Sequence, residues 1–229
     1  MKKRYSHLEN NIVTRITKRN DLGLGDELVR QALKPFGIDP SKTQIEAIRR
    51  YMRALILWNQ KVSLTTITDP IDIVRRHFGE SMFAAEAVPI RQGRLVDVGS
   101  GAGFPGLALK VACPDLDVVL IEPNHKKAAF LAEVSRILGL TRVEILAHRL
   151  EELRLLPACA SFVSARAVGR LPKLLRTARS MLEEGGLIVL WLGTRDAIEV
   201  SQAASWIWRK PVPIPLSQRR VLLIGRPCL

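Results

Sequence analysis

Two hydrophobic periods divide this chain. Up to about residue 90, apolar positions recur at helical spacing. The stretch "DELVRQALKPF" from Asp26 reads as a helix that stops near Pro35 and Gly37. Ile45, Ile48, Met52, Leu55 and Ile56 fall at intervals that line one helical face, and Ser41 with Gln44 has the spacing of a capping box at the start of that helix. "DPIDIVRRHFGESMFAAEAV" predicts another helix, with Pro70 in its first turn. After Gln92 short apolar runs alternate with amphipathic ones. "RLVDVG", "DVVLIE", "RVEILA", "SFVSAR" and "LIVLWL" read as strands. "PGLALKVA", "NHKKAAFLAEVSRIL" and "LPKLLRTARSML" read as helices, the first ended by Pro114 and the last closed by Gly185 and Gly186. "KPVPIPL" and "RRVLLIG" predict a terminal hairpin. Such alternation implies an α/β fold, a largely parallel sheet with helices on both faces. The expected organisation is a helical cap over residues 1–90, of which 1–20 show no periodicity and should be flexible, and an α/β domain over residues 91–229.

Composition sharpens this picture in four places. Apolar residues make up 47% of the chain, enough for a packed core, yet the longest apolar run, "LIVLWL", is six residues and cannot span a bilayer. The N-terminal "MKKRYSHLENNIVTRITKRN" is basic but lacks the apolar segment of a secretory signal, so a cytoplasmic location is expected. Cys113, Cys159 and Cys228 share no short spacing, which fits neither a disulfide framework nor a cysteine zinc site. The formal charge is +13, and it is uneven. Residues 1–20 carry six Lys/Arg against Glu9, and residues 200–229 carry five with no acid. A polyanion such as RNA is the simplest partner for that excess; a solubilising basic surface is the bland alternative.

The candidate chemistry begins in "RLVDVGSGAGFPGLALK". Gly99, Gly101 and Gly103 follow the first predicted strand at two-residue spacing, where glycine lets a ligand approach bare backbone. That suits a dinucleotide and S-adenosylmethionine equally. Asp97 favours the second: a carboxylate beside the loop repels a pyrophosphate, which seeks bare N–H groups at a helix start, and attracts an α-ammonium. Glu122 closes the second strand, where an acid can accept both ribose hydroxyls. After the third strand, the backbone of Leu150 and the carboxylate of Glu151 can read an adenine edge. Arg166 ends the fourth strand, where it can contact the cofactor or hold an anionic acceptor; an ordinary ion pair is the competing reading.

"DVGSGAGFPG", "SARA" and the upstream "WNQKVSLTTITDPIDIVRRHFGES" together resemble the RsmG (GidB) family of small-subunit ribosomal RNA guanine-N7 methyltransferases, from about Asp26 to the C-terminus. The resemblance implies a class I, Rossmann-like S-adenosylmethionine-dependent methyltransferase with a mostly parallel seven-stranded sheet. It implies methylation of one guanine of 16S rRNA, guanine-527 in the 530 loop, in the small subunit or a late precursor, by a monomer without metal or membrane. It also implies cofactor contacts at Gly99, Phe104, Leu150, Glu151 and Arg166, with Glu122 as the ribose acid. The chain departs from the family in having Glu80 where an aspartate precedes the serine, in a slightly longer spacing from Glu151 to Arg166, and in Leu192 where a lysine precedes the glycine after the fifth strand.

The acceptor fits what is missing. The fourth strand is followed by "SARAVGR", not by the Asn/Asp-Pro-Pro-aromatic loop of exocyclic-amine methylation. Methylation at cytosine carbon-5 needs a thiolate nucleophile, and Cys228 lies at the far end of the chain. Guanine N7 has an available lone pair, so no catalytic acid or base is expected. For RNA contact the candidates are Asn59, Arg75, Arg76 and His77, with Lys61 close by and Trp58 and Phe104 as stacking surfaces; His77 also suits a packed, hydrogen-bonded role. A small-molecule methyltransferase, or a nucleotide-binding regulator or redox protein, remains the competing reading.

Overall fold

A computed structural model describes residues 24–150, 158–167, 169 and 171–228. The helical half contains α1 (Asp26–Leu33), α2 (Lys42–Asn59), and a broken helix made of α3 (Pro70–Ile73), a π-helical turn (Val74–Gly79), α4 (Glu80–Met82) and α5 (Ala84–Ala87). The capping box forms as expected: Gln44 N–H donates to Ser41 Oγ at 3.2 Å and Ser41 N–H to Gln44 Oε1 at 2.9 Å. Gln44 Nε2 also donates to the carbonyls of Val111 and Ala112, so the start of α2 satisfies the end of another helix.

The remaining elements are β1 (Gly93–Val98), α6 (Gly106–Ala112), β2 (Leu116–Ile121), α7 (His125–Leu138), β3 (Val143–Leu146), β4 (Ala160–Arg166), α8 (Leu171–Met181), β5 (Leu182–Gly193), α9 (Thr194–Val200), β6 (Trp206–Trp208), β7 (Val212–Pro213) and β8 (Arg220–Pro227). They form one sheet in the order β3-β2-β1-β4-β5-β8-β6, with β7 also on β8. β1 to β5 run parallel, and β8 is antiparallel to β5, β6 and β7. Among the described residues the sheet thus has eight strands, where seven were expected. The extra one is the three-residue "WIW", too short to show alternation. Gly185 and Gly186 do not close α8. They lie inside β5, where the register against β4 shifts between Ala160 and Phe162.

Side chains alternate across the sheet, and both faces are buried. Leu95, Leu120, Val189 and Trp191 face a core that also holds Val29, Ile45, Ile48, Tyr51, Met52 and Leu55 of the first two helices, together with α6 and α7. Val96, Val98, Ile188 and Leu190 face a second core with α8 and α9. The helical half therefore shares its core with the sheet. Each fully buried aliphatic or aromatic side chain there contributes roughly 1.5–3 kcal/mol, which holds α2 against the strand ends that carry the site. Among the described residues no helix is long and apolar enough to cross a membrane, and all three cysteines are free thiols.

Candidate active site

The loop after β1 is anchored from below and open above. The N–H groups of Gly99 and Ser100 donate to Ile121 O at 2.8 and 3.1 Å, which fastens the loop to the end of β2. Gly103 sits at φ +84°, and a Cβ there would stand 2.1 Å from Tyr51 Oη. That hydroxyl donates to Ala102 O at 2.5 Å. Burial first, then the charge of Asp97, holds its pKa well above the usual tyrosine range, so it stays a donor. Gly101 is different: a Cβ there would meet only Gly99 O, at 3.8 Å. The bare backbone of Gly101 faces open space, as a cofactor cradle requires.

Two acids brace the loop. Glu122 is buried; its Oε2 accepts Gly101 N–H at 2.8 Å and its Oε1 accepts Asn124 N–H at 2.8 Å. Each carboxylate oxygen can accept a further hydrogen bond, so the acid still fits a ribose. Asp97 has other partners than the crevice-mouth role gave it. It is 0% exposed, with Oδ1 accepting from Ser164 Oγ at 2.6 Å and Oδ2 from Gly106 N–H at 3.2 Å. The reason is the pleat of β1, which aims Asp97 at the same face as Leu95, under the first residue of α6. A Cβ on Gly106 would lie 2.9 Å from that of Asp97. Asp97 therefore ties β1, β4 and the start of α6 together beneath the loop.

Burial pushes the Asp97 carboxyl up to about 6, against the hydrogen bonds from Ser164, Ser100 and Gly106. A carboxyl raised on folding holds its proton more tightly in the folded state. Its contribution to stability is present below about pH 4, the unfolded value, and is lost as the pH rises toward about 6. The stability of the wild type relative to Asp97→Asn should therefore fall by up to about 3 kcal/mol between pH 4 and 7. Denaturant titrations of both proteins across that range check this; parallel curves would reject it.

At the ends of β4 and β8 lies an ion cluster whose acid comes from the helical half. Glu80 is 2% exposed. Its Oε2 accepts from Arg166 Nη2 at 3.1 Å and its Oε1 from Arg220 Nη2 at 2.5 Å. Arg166 Nη2 also donates to Arg76 O at 2.8 Å, and Trp191 Nε1 to Glu80 O at 2.7 Å. Burial lowers the Arg166 pKa while Glu80 opposes it. Arg166 Nη1 is buried without a hydrogen-bond partner among the described residues.

His77 joins this cluster to the glycine loop. Its ring stacks on Phe104 at 4.6 Å and 12°, and Phe104 stacks on Tyr51 at 5.1 Å and 10°. Its Nε2 lies 2.8 Å from Thr65 Oγ1. Burial, followed by Arg166, Arg76 and Arg220, lowers its pKa to about 3, so it is neutral. Asn59 faces its own turn, with Nδ2 donating to Thr65 O and Oδ1 accepting from the N–H groups of Leu64 and Thr65. It shapes the turn that carries Thr65. Arg75 and Arg76 are exposed on the π-helical turn, a geometry that recurs at functional sites.

The structure thus gathers Asp97, Gly99, Gly101, Phe104, Glu122, Arg166, Arg76 and His77 around the strand ends. Leu150 is half-buried against the second core; Glu151 lies outside the described residues, as do residues 1–20. Sequence reasoning missed Tyr51, Ser164 and Arg220. A polar Ser164 inside an otherwise apolar strand was a readable signal; Arg220 had none. An open cleft of about 650 Å³ lined by Gln92, Gly93, Asp117, Arg142 and Ser161 lies at the strands' amino ends, the wrong edge for a ligand in an open α/β sheet.

Solved structures share this architecture. A SAM dependent methyltransferase from Aquifex aeolicus matches with a TM-score of 0.57 at 15% identity, covering 69% of this chain and 93% of that one. Ribosomal protein L11 methylase from Lactobacillus delbrueckii subsp. bulgaricus matches with a TM-score of 0.55 at 14% identity, covering 67% and 79%. Together with the glycine loop, this is the fold of S-adenosylmethionine-dependent methyltransferases, in agreement with the expected cofactor. Residues 44–211 match the GidB family, described as rRNA small subunit methyltransferase G. Ribosomal RNA small subunit methyltransferase G of Roseiflexus castenholzii is 38% identical over 210 residues, covering 87% of this chain and 89% of that protein. The protein of the same name from Sorangium cellulosum is 37% identical over 184 residues, covering 77% and 75%. The chain belongs to the rRNA small subunit methyltransferase G family.

Proposed function

We propose that the protein methylates N7 of one guanine in small-subunit (16S) ribosomal RNA, guanine-527 of the 530 loop. Bound S-adenosylmethionine supplies a methyl group on a sulfonium, a leaving group that departs neutral. The chain's part is positioning. Gly99 and Gly101 offer bare backbone, Glu122 receives the ribose, Leu150 and Glu151 flank the adenine, and Arg166 with Phe104 closes the methionine end. Asp97 keeps the loop in shape from below.

The observation that carries this reading is the meeting of two surfaces at one ring. Arg166 and Arg220 meet on Glu80, and Arg166 also holds the backbone of Arg76. The adjoining His77, its pKa depressed by burial first and then by these three charges, stacks on Phe104 of the cofactor loop. A basic edge thus adjoins the glycine loop, which supports a polyanion docking beside the methyl donor. Guanine N7 needs no proton removed before attack. A His77 with a pKa of about 3 is a poor base at neutral pH, and Asp97 is buried beneath the loop. Both agree with catalysis by alignment, which can supply roughly 7–11 kcal/mol. A small-molecule acceptor would leave the charge of +13 without a role. The reading carries with it a cytoplasmic monomer that uses no metal and acts on the small subunit or a late precursor.

The test is incubation of small subunits from a strain lacking this modification with labelled S-adenosylmethionine and the protein, followed by mapping of the modified base. Label at N7 of that guanine is expected; label on another atom, or none, rejects the proposal. Binding to the RNA should also weaken steeply with salt. Four phosphate contacts correspond to a loss of about 100-fold between 50 and 200 mM salt. Affinity that stays flat over that range would remove the polyanion argument.

A further inference from the structure

The carboxyl edge of the sheet holds more cation than Glu80 balances. Arg166, Arg220 and Arg76 act together on His77, and Glu80 gives one oxygen to Arg166 and the other to Arg220. Arg220 Nε, like Arg166 Nη1, is buried with no hydrogen-bond partner among the described residues. A buried charged donor without an acceptor is destabilising, and the ligand that removes the penalty is an anion with several oxygens in reach of a planar fork.

Position separates Arg220 from Arg166. Arg166 ends β4, next to β1 and its glycine loop, whereas Arg220 opens β8, two strands further along the sheet. At about 4.8 Å per strand, its backbone stands roughly 14 Å from β1. That is beyond the cofactor loop but still at the carboxyl edge of the parallel strands, where ligands bind in such sheets. The Arg220 side chain is 34% exposed against 17% for Arg166, and Arg76, whose carbonyl Arg166 holds, is exposed.

We propose that Arg220, with Arg76, binds a backbone phosphate of the rRNA strand and so sets the target nucleotide against the methyl donor. Glu80 holds the Arg220 fork in place until the phosphate arrives. This rests on rRNA being the substrate.

The test uses the full chain with Arg220→Gln and Arg220→Lys. An RNA fragment containing the 530 loop serves as the binding probe across a salt series. Arg220→Gln should weaken binding about 10-fold at low salt and lower the slope of log K against log salt by about 0.7–0.9, one phosphate contact. Cofactor affinity by calorimetry should stay within about twofold, and KM for subunits should rise with little change in kcat. Arg220→Lys should keep the slope and lose several-fold in affinity, because the charge stays and the fork is lost. An unchanged slope in folded Arg220→Gln would overturn the proposal, as would a matching loss of cofactor affinity. If Arg220→Gln fails to fold, Arg220→Lys decides: wild-type affinity there overturns it as well. Failure of the reaction itself is separable, since a wild type that binds RNA but methylates no guanine still yields the salt slopes.

Discussion

Gly103→Ala is expected to abolish measurable cofactor binding and to destabilise the fold by about 3–5 kcal/mol, from overpacking together with left-handed backbone strain. The new Cβ would stand 2.1 Å from Tyr51 Oη and 2.9 Å from Leu107 Cδ1, at a φ of +84°. The tyrosine cannot step aside cheaply. It is fully buried, its ring stacks on Phe104, and its hydroxyl holds Ala102 O. Moving it releases the loop that presents Gly101. The cause can be isolated with Tyr51→Phe, which removes the obstructing hydroxyl at the expense of one hydrogen bond, about 1 kcal/mol. In that background Gly103→Ala should be less damaging by at least about 1 kcal/mol, a coupling read from a double-mutant cycle of denaturant midpoints. Additive effects would mean that the clash with Tyr51 does not govern the loop.

The same residues show what could be read from the chain alone. Where a local period and a local cap coincide, the reading is secure: Ser41 and Gln44 specify the start of α2, and its apolar face is the one that packs on the sheet. The central parallel strands read equally well, because both of their faces are largely buried and their runs are predominantly apolar. Gly185 and Gly186 misled for a physical reason. Glycine pairs commonly end helices, but here the chain passes from Met181 straight into β5, and the glycines fall at an irregularity of strand pairing. Nothing nearby in sequence reports that irregularity, since its partner is β4.

Long-range polar partners were the least legible part of the site. Asp97 was recognisable as important, yet whether its carboxylate faced the crevice or the underside depended on the pleat of β1 relative to Gly106 and Ser164. Asn59 and His77 lie in one block that suggested an RNA surface. The turn at 60–65 instead draws the Asn59 side chain back onto its own backbone, and through Thr65 it orients His77. Arg220 meets Glu80 across 140 positions of chain. No spacing rule spans that distance; only the antiparallel return of β8 against β5 brings the two together.

Glu80→Ala is the other change with a large expected effect, because it removes the buried acid that two partly buried guanidiniums share and leaves them without their counterion. Removing one partner of a buried ion pair destabilises by about 3–5 kcal/mol. For a chain of 229 residues, at roughly 2–4 °C per kcal/mol, this is a fall in Tm of roughly 6–20 °C. Glu80→Gln should fall between the two, since it keeps the shape and one acceptor but not the charge. The backbone carbonyl of Glu80 still accepts from Trp191 Nε1 in either variant, so the helical half should remain attached to β5 while Arg166 and Arg220 separate. Arg166 would then lose its fixed place beside the glycine loop, and cofactor affinity should drop at least about tenfold even at temperatures where the variant is folded. Thermal melts followed by calorimetry with S-adenosylmethionine measure both effects. A Glu80→Ala protein that melts within about 2 °C of the wild type, less than about 1 kcal/mol on that scale, would show that solvent reaches these guanidiniums freely, and that the acid from the helical half does not position them.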